Sequence, residues 1–122
     1  MANIQESIME FEKARNQLLS ISAQKQQLQL QSEALGQALD ELKDSKEEKV
    51  FKAVGNILIL KDAKEVKKEV DEQKETVDLR FKTVQKQEDA LIDKMNKLKN
   101  EIEKAQKSAS ASAGSGKQSK SS

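Results

Sequence analysis

The side chains able to do chemistry in this chain are carboxylates, ammonium groups and hydroxyls, because its 122 residues include no His and no Cys. That absence removes ordinary zinc sites, thiol catalysis, disulfides and any Ser-His or Cys-His nucleophile pair. Asp, Glu and Lys can still act as acids or bases, but only where a closed site displaces their pKa values. One string, Gly114-Ser115-Gly116-Lys117, echoes a phosphate-binding loop. Its first glycine would fall at Ala111, Gln118 replaces the hydroxyl after the lysine, and no strand precedes it, so the motif fails where its mechanism needs it. The expectation is a protein that is not an enzyme and uses no metal and no cofactor.

The elements that must position the remaining groups are not those of a thick globule. Hydrophobic and charged residues each make up 35% of the chain, aromatics 2%, and there is no Trp or Tyr to fill an interior. With no Pro, four Gly and abundant Gln, Glu, Lys, Leu and Ala, long helices are favoured over disorder. The formal net charge is +1. Residues 106–122 carry three Lys and no acid, which leaves 19 basic and 21 acidic residues in 1–105, net −2, too balanced for a nucleic-acid surface. The N-terminus lacks a basic patch followed by an apolar stretch, and the longest run of large aliphatics is residues 57–60, so a cytoplasmic protein with no membrane segment is expected.

Heptads organise most of the chain. Ile4, Phe11, Leu18, Lys25, Ser32 and Leu39 alternate with Ser7, Ala14, Ile21, Leu28, Leu35 and Leu42, and predict a helix over residues 3–43. Asn3 and Glu6 stand at capping-box spacing at its start. A second series, Lys67, Lys74, Phe81, Glu88, Met95 and Ile102 alternating with Val70, Val77, Val84, Leu91, Leu98 and Ala105, predicts a helix over residues 62–105, with Asp62 and Glu65 as its cap. Pairing the two antiparallel, with partner numbers adding to 109, sets Ile4 on Ala105, Phe11 on Leu98, Leu18 on Leu91 and Leu39 on Val70. Lys25 and Glu88 then sit one layer apart, either as a register-setting ion pair or as a snorkelling lysine beside a solvated carboxylate. Gly36, inside the first helix, is unexplained at this level; it costs about 1 kcal/mol relative to Ala.

Between the helices the pattern changes. Residues 50–60 read as a β-hairpin, Val50, Phe51, Lys52, Ala53 and Val54 turning through Gly55-Asn56 into Ile57, Leu58, Ile59 and Leu60. The second strand is apolar on both faces. A lone ribbon is marginal in water and has open edges, so the hairpin, with Val50, Phe51, Val54, Gly55, Ile57, Leu58 and Ile59, is the expected oligomerisation element. The alternative, folding back on its own helices, would cover only one face. Residues 106–122 lack large apolar side chains and are expected to form a disordered Ser/Ala/Lys-rich tail after a 1–105 domain.

Two heptad helices flanking one hairpin, with the string Phe51-Lys52-Ala53-Val54-Gly55-Asn56-Ile57-Leu58-Ile59, resemble the beta-type subunits of prefoldin. The likeness covers residues 1–105 and is most specific in the hairpin; Phe51 stands where the family more often has Tyr. The resemblance implies a mainly α fold, a long antiparallel two-helix coiled coil whose hairpin assembles into an oligomeric β-barrel. It implies a hetero-hexamer of two alpha-type and four beta-type chains in an archaeal-type or eukaryotic-type cytosol. It further implies an ATP-independent holdase that captures unfolded client proteins and delivers them to a group II chaperonin. In the expected register the free helix ends meet, so Ile4, Ile8, Phe11, Leu98 and Ile102 are the candidate client-binding tip; the lesser alternative, which applies more to Phe11 and Leu98 than to Ile8, is that they merely close the seam. The competing reading is a structural coiled-coil scaffold that binds no client, and nucleic-acid binding through the lysines is the weakest, since helix 2 alternates Lys with acids.

Overall fold

The computed structural model describes residues 3–113, with side chains to residue 108. Helix α1 (Ile4–Asp44) is followed by strands β1 (Lys49–Val54) and β2 (Ile57–Asp62) and helix α2 (Ala63–Ala113). The N-terminus forms as the capping-box spacing predicts. The Glu6 N–H donates to Asn3 Oδ1 at 2.9 Å, the Asn3 side-chain amide donates to Glu6 Oε1 at 3.4 Å, and the Ser7 N–H reaches the Asn3 carbonyl at 3.1 Å. Every seam position named by the two heptad series is buried or half-buried. Ala14, Leu39, Val84 and Leu98 are the most enclosed of the apolar ones, at 1 to 8% exposure, and the seam residue Ser7 is buried as well.

Contacts group the chain into a middle unit, Ala23–Gln85, and a terminal unit built from the chain up to Ser22 and from Lys86 onward. In the middle unit the antiparallel hairpin pairs Lys49 with Asp62, Phe51 with Leu60, Ala53 with Leu58 and Val54 with Ile57. Gly55 makes the turn at a φ of 61°, and no non-glycine residue among those described has positive φ, so only the first of the two turn residues needs the left-handed region. That is the pattern of a type II′ turn.

Two boundaries differ from expectation. The hairpin runs from Lys49 to Asp62 rather than over 50–60, because the Lys49 ammonium meets the Asp62 carboxylate at 2.8 Å and the Ala63 N–H donates to the Glu48 carbonyl at 2.8 Å, adding rungs at the base. Asp62 therefore ends β2, with its carboxylate on Lys49, where a helix cap was expected. Helix α2 also continues to Ala113 rather than ending at 105. Residues 106–113, expected as tail, hold the helix because Ala has the highest helix propensity and no Gly or Pro intervenes before Gly114. The rest of the expected tail, 114–122 with its Gly-Ser-Gly-Lys string, lies outside the described residues.

Candidate functional site

The hairpin offers the largest exposed apolar surface of the middle unit. Phe51, Ile57 and Leu58 are exposed at 68, 65 and 66%, with Leu60 at 55%, Val54 at 50% and Ile59 at 39%; Val50 alone among its large apolar side chains is half-buried. Side chains alternate across a strand and ladder partners share a face. Phe51, Ala53, Leu58 and Leu60 therefore form one continuous apolar face, while Val50, Lys52, Val54, Ile57, Ile59 and Lys61 form the other. Leu60 was not among the expected joint residues. Its place opposite Phe51 emerges only once the strands are paired about Gly55-Asn56.

The second face leans on α2. The Lys52 ammonium is in direct contact with Glu69 Oε2, and the Lys61 ammonium lies 3.4 Å from Glu69 Oε1 and 3.8 Å from Glu65. The Lys52 hydrogen bond chiefly, and then Lys61, hold the Glu69 carboxyl below the usual carboxylate range against its own desolvation. Asp62 is lowered likewise by Lys49.

Deeper in the middle unit the seam carries a polar step beside Gly36. The Ser32 hydroxyl donates to Asp78 Oδ1 at 2.6 Å, and the Lys74 ammonium donates to Asp78 Oδ2 at 2.9 Å. Both bonds lower the Asp78 carboxyl, Ser32 the more. To reach that position the Lys74 stem crosses α1 at Gly36, where a Cβ would stand 3.4 Å from Lys74 Cε. Lys25 extends its ammonium over Phe81, 5.8 Å from the ring centroid. In the terminal unit the seam carboxylate Glu88 accepts from the Ser22 hydroxyl at 2.8 Å.

The terminal unit brings the expected tip residues into two environments. Leu98 is 6% exposed, and Ile4, Phe11 and Ile102 are half-buried, all on the seam. Ile8 is 39% exposed, and Met9, not anticipated from the heptads because it lies off the seam, is 71% exposed. An exposed thioether beside an exposed isoleucine is a soft, adaptable apolar surface. The recognisable signal was two large apolar residues in succession outside the seam, Ile8-Met9, just before Glu10. Leu98 serves as a knob that closes the folded seam.

No helix among the described residues is long and apolar enough to cross a membrane, and no group of three or more His, Cys, Asp or Glu among them is arranged to hold a metal. The depression lined by Gln17, Ser20, Ile21, Gln87, Ala90 and Leu91 contains no acid or base, and the lowered carboxylates that line two others, Glu69 and Asp62, are those already paired with lysines.

Comparison with known proteins agrees with this architecture. A family model described as prefoldin subunit matches residues 5–109. The chain is 34% identical over 103 residues to prefoldin subunit beta of Pyrobaculum arsenaticum, covering 84% of this chain and 83% of that one. It is 35% identical over 101 residues to prefoldin subunit beta of Archaeoglobus fulgidus, covering 82% and 87%. The crystal structure of the prefoldin beta subunit from Thermococcus strain KS-1 superimposes with a TM-score of 0.79 at 28% identity, covering 86% of this chain and 96% of that one. With two heptad helices, one hairpin and these relatives, the chain belongs to the prefoldin family as a beta-type subunit, a chaperone component and not an enzyme.

Proposed function

We propose that this chain is a subunit of an ATP-independent holdase that grips apolar segments of unfolded proteins with its coiled-coil tip and passes them to a group II chaperonin. Its hairpin joins it to an alpha-type subunit and to further beta-type copies in a cytoplasmic hexamer, in which the hairpins close into β-barrels. The observation that carries the client-binding part is the exposure of Ile8 and Met9 on the first turns of α1. Fully burying one such side chain gives roughly 1.5–3 kcal/mol, too little for one tip to hold a client alone. Several tips bridged by one unfolded chain multiply their effective concentration, while each contact still breaks quickly. Grip and release then need no nucleotide.

Diluting a chemically denatured protein into the chain, with and without an alpha-type partner, and following light scattering tests this directly. Suppressed scattering with the assembled complex is the expected result. Scattering identical to the control would leave the scaffold reading, in which the hairpin joins copies and the helices only set distance.

A further inference from the structure

The hairpin is apolar on both faces, and rotation about its long axis would exchange the face offered to neighbours. The charges of the hairpin that contact Glu69 of α2 all come from one face. Between its turn and its base the face of Phe51, Ala53, Leu58 and Leu60 carries no charge; Lys49 and Asp62 pair at its foot with side chains 60 and 62% exposed. The opposite face carries Lys52 on β1 and Lys61 on β2, and both ammonium groups converge on Glu69 of α2, one on each carboxylate oxygen. The three side chains are 30 to 33% exposed, so this pair of contacts is screened less than the pair at the foot. Because one carboxylate holds both strands, turning the hairpin over requires breaking both contacts. Beside the latch Ile59 falls to 39% exposure, while toward the turn Val54 and Ile57 on the same face stay at 50 and 65%, against 66% for Leu58 on the other.

We propose that Glu69 is a positioning residue: by tying Lys52 and Lys61 to α2 it decides that the Phe51, Ala53, Leu58 and Leu60 face is the one that meets the hairpin of another subunit. This rests on the hairpin being the joint between subunits. The occupant is another hairpin because a flat apolar sheet face packs against a second sheet layer, and because the two open ladder edges on either side of that face pair only with strands.

The chain has no Trp, so a single introduced Trp reports one face. Phe51→Trp and Ile57→Trp versions of the full chain are assembled with a Trp-free alpha-type subunit and quenched with iodide. On assembly the quenching constant of the residue 51 reporter is expected to fall about fivefold or more, and that of the residue 57 reporter less than twofold. Glu69→Gln is expected to bring the two values within twofold of each other. Charge reversal with Glu69→Lys, Lys52→Glu and Lys61→Glu together is expected to restore the difference, which a merely space-filling role would not do, and it keeps the test valid if Glu69→Gln alone fails to fold. Equal protection of both reporters in the unaltered background, or a difference untouched by Glu69→Gln, overturns the proposal. Failure of the underlying joint reads out separately, as an unchanged sedimentation coefficient when Leu58→Asp and Ile59→Asp are combined, which charges both faces.

Discussion

Met9→Ser separates gripping from folding at the tip. With 71% of its surface open, Met9 contributes little to the seam, so the substitution is expected to change folding stability by no more than about 0.5 kcal/mol. A client covering the open part of the side chain gains about 1–2 kcal/mol, that fraction of the roughly 1.5–3 kcal/mol for full burial. Losing it weakens each contact about 5- to 30-fold. The assay is the concentration of assembled complex that half-suppresses aggregation of a denatured client, measured beside the thermal midpoint. Leu98→Ala is the counterpart: at 6% exposure it removes a packed knob and is expected to cost about 2–5 kcal/mol of stability. Unchanged suppression by Met9→Ser, together with weakened suppression by a Leu98→Ala chain that remains as stable as the parent, would refute the division between exposed grip and buried seam.

Three further outcomes follow from the middle unit. Gly36→Ala is expected to stabilise the chain by about 0.5–1 kcal/mol in urea unfolding, since the helix gains about 1 kcal/mol and the new Cβ meets only the flexible end of Lys74; net destabilisation would mean the slot is tighter than its 3.4 Å contact shows. Gly55→Ala forces a side chain into the left-handed region at φ 61° and is expected to destabilise the hairpin by about 1–2 kcal/mol, seen as assembly that needs a higher protein concentration. Glu69 and Asp78 have folded pKa values below their unfolded ones, so the folded chain binds fewer protons, and their stabilisation is complete above the ordinary carboxylate range and lost as pH falls through the lowered values. The thermal midpoint should drop on acidification below about pH 4, and less steeply in Asp78→Asn; a midpoint that rises contradicts the assignment.

How much was legible depended on whether neighbours in sequence or neighbours across the fold set the outcome. Both helices were readable because a 3.5-residue repeat is local, and each position it named is enclosed. The turn was readable because Gly55-Asn56 carries its own backbone preference. Gly36 was opaque because its nearest neighbour, the Lys74 stem, comes from the other helix, and even there a Cβ meets only ordinary contact. Asp62 was read as a cap because its cross-strand partner Lys49 lies outside its own local pattern. The end of α2 was misplaced because the loss of seam residues after Ala105 marks the end of the heptad pattern, while the Ala-rich sequence that follows keeps a high helix propensity of its own. Which hairpin side chains share a face, and that Lys52 and Lys61 meet Glu69, depends on strand pairing and on α2, neither of which a strand apolar on both sides reveals. At the tip, heptads located Ile4, Phe11, Leu98 and Ile102 but favoured seam over surface, and so passed over Met9.

Deleting residues 1–11 together with 98–122 from the assembled complex asks whether the helix ends do the holding. The expected result is a complex whose sedimentation falls only by the lost mass and which no longer suppresses aggregation of a denatured client. Full suppression by that shortened complex would contradict capture at the tips.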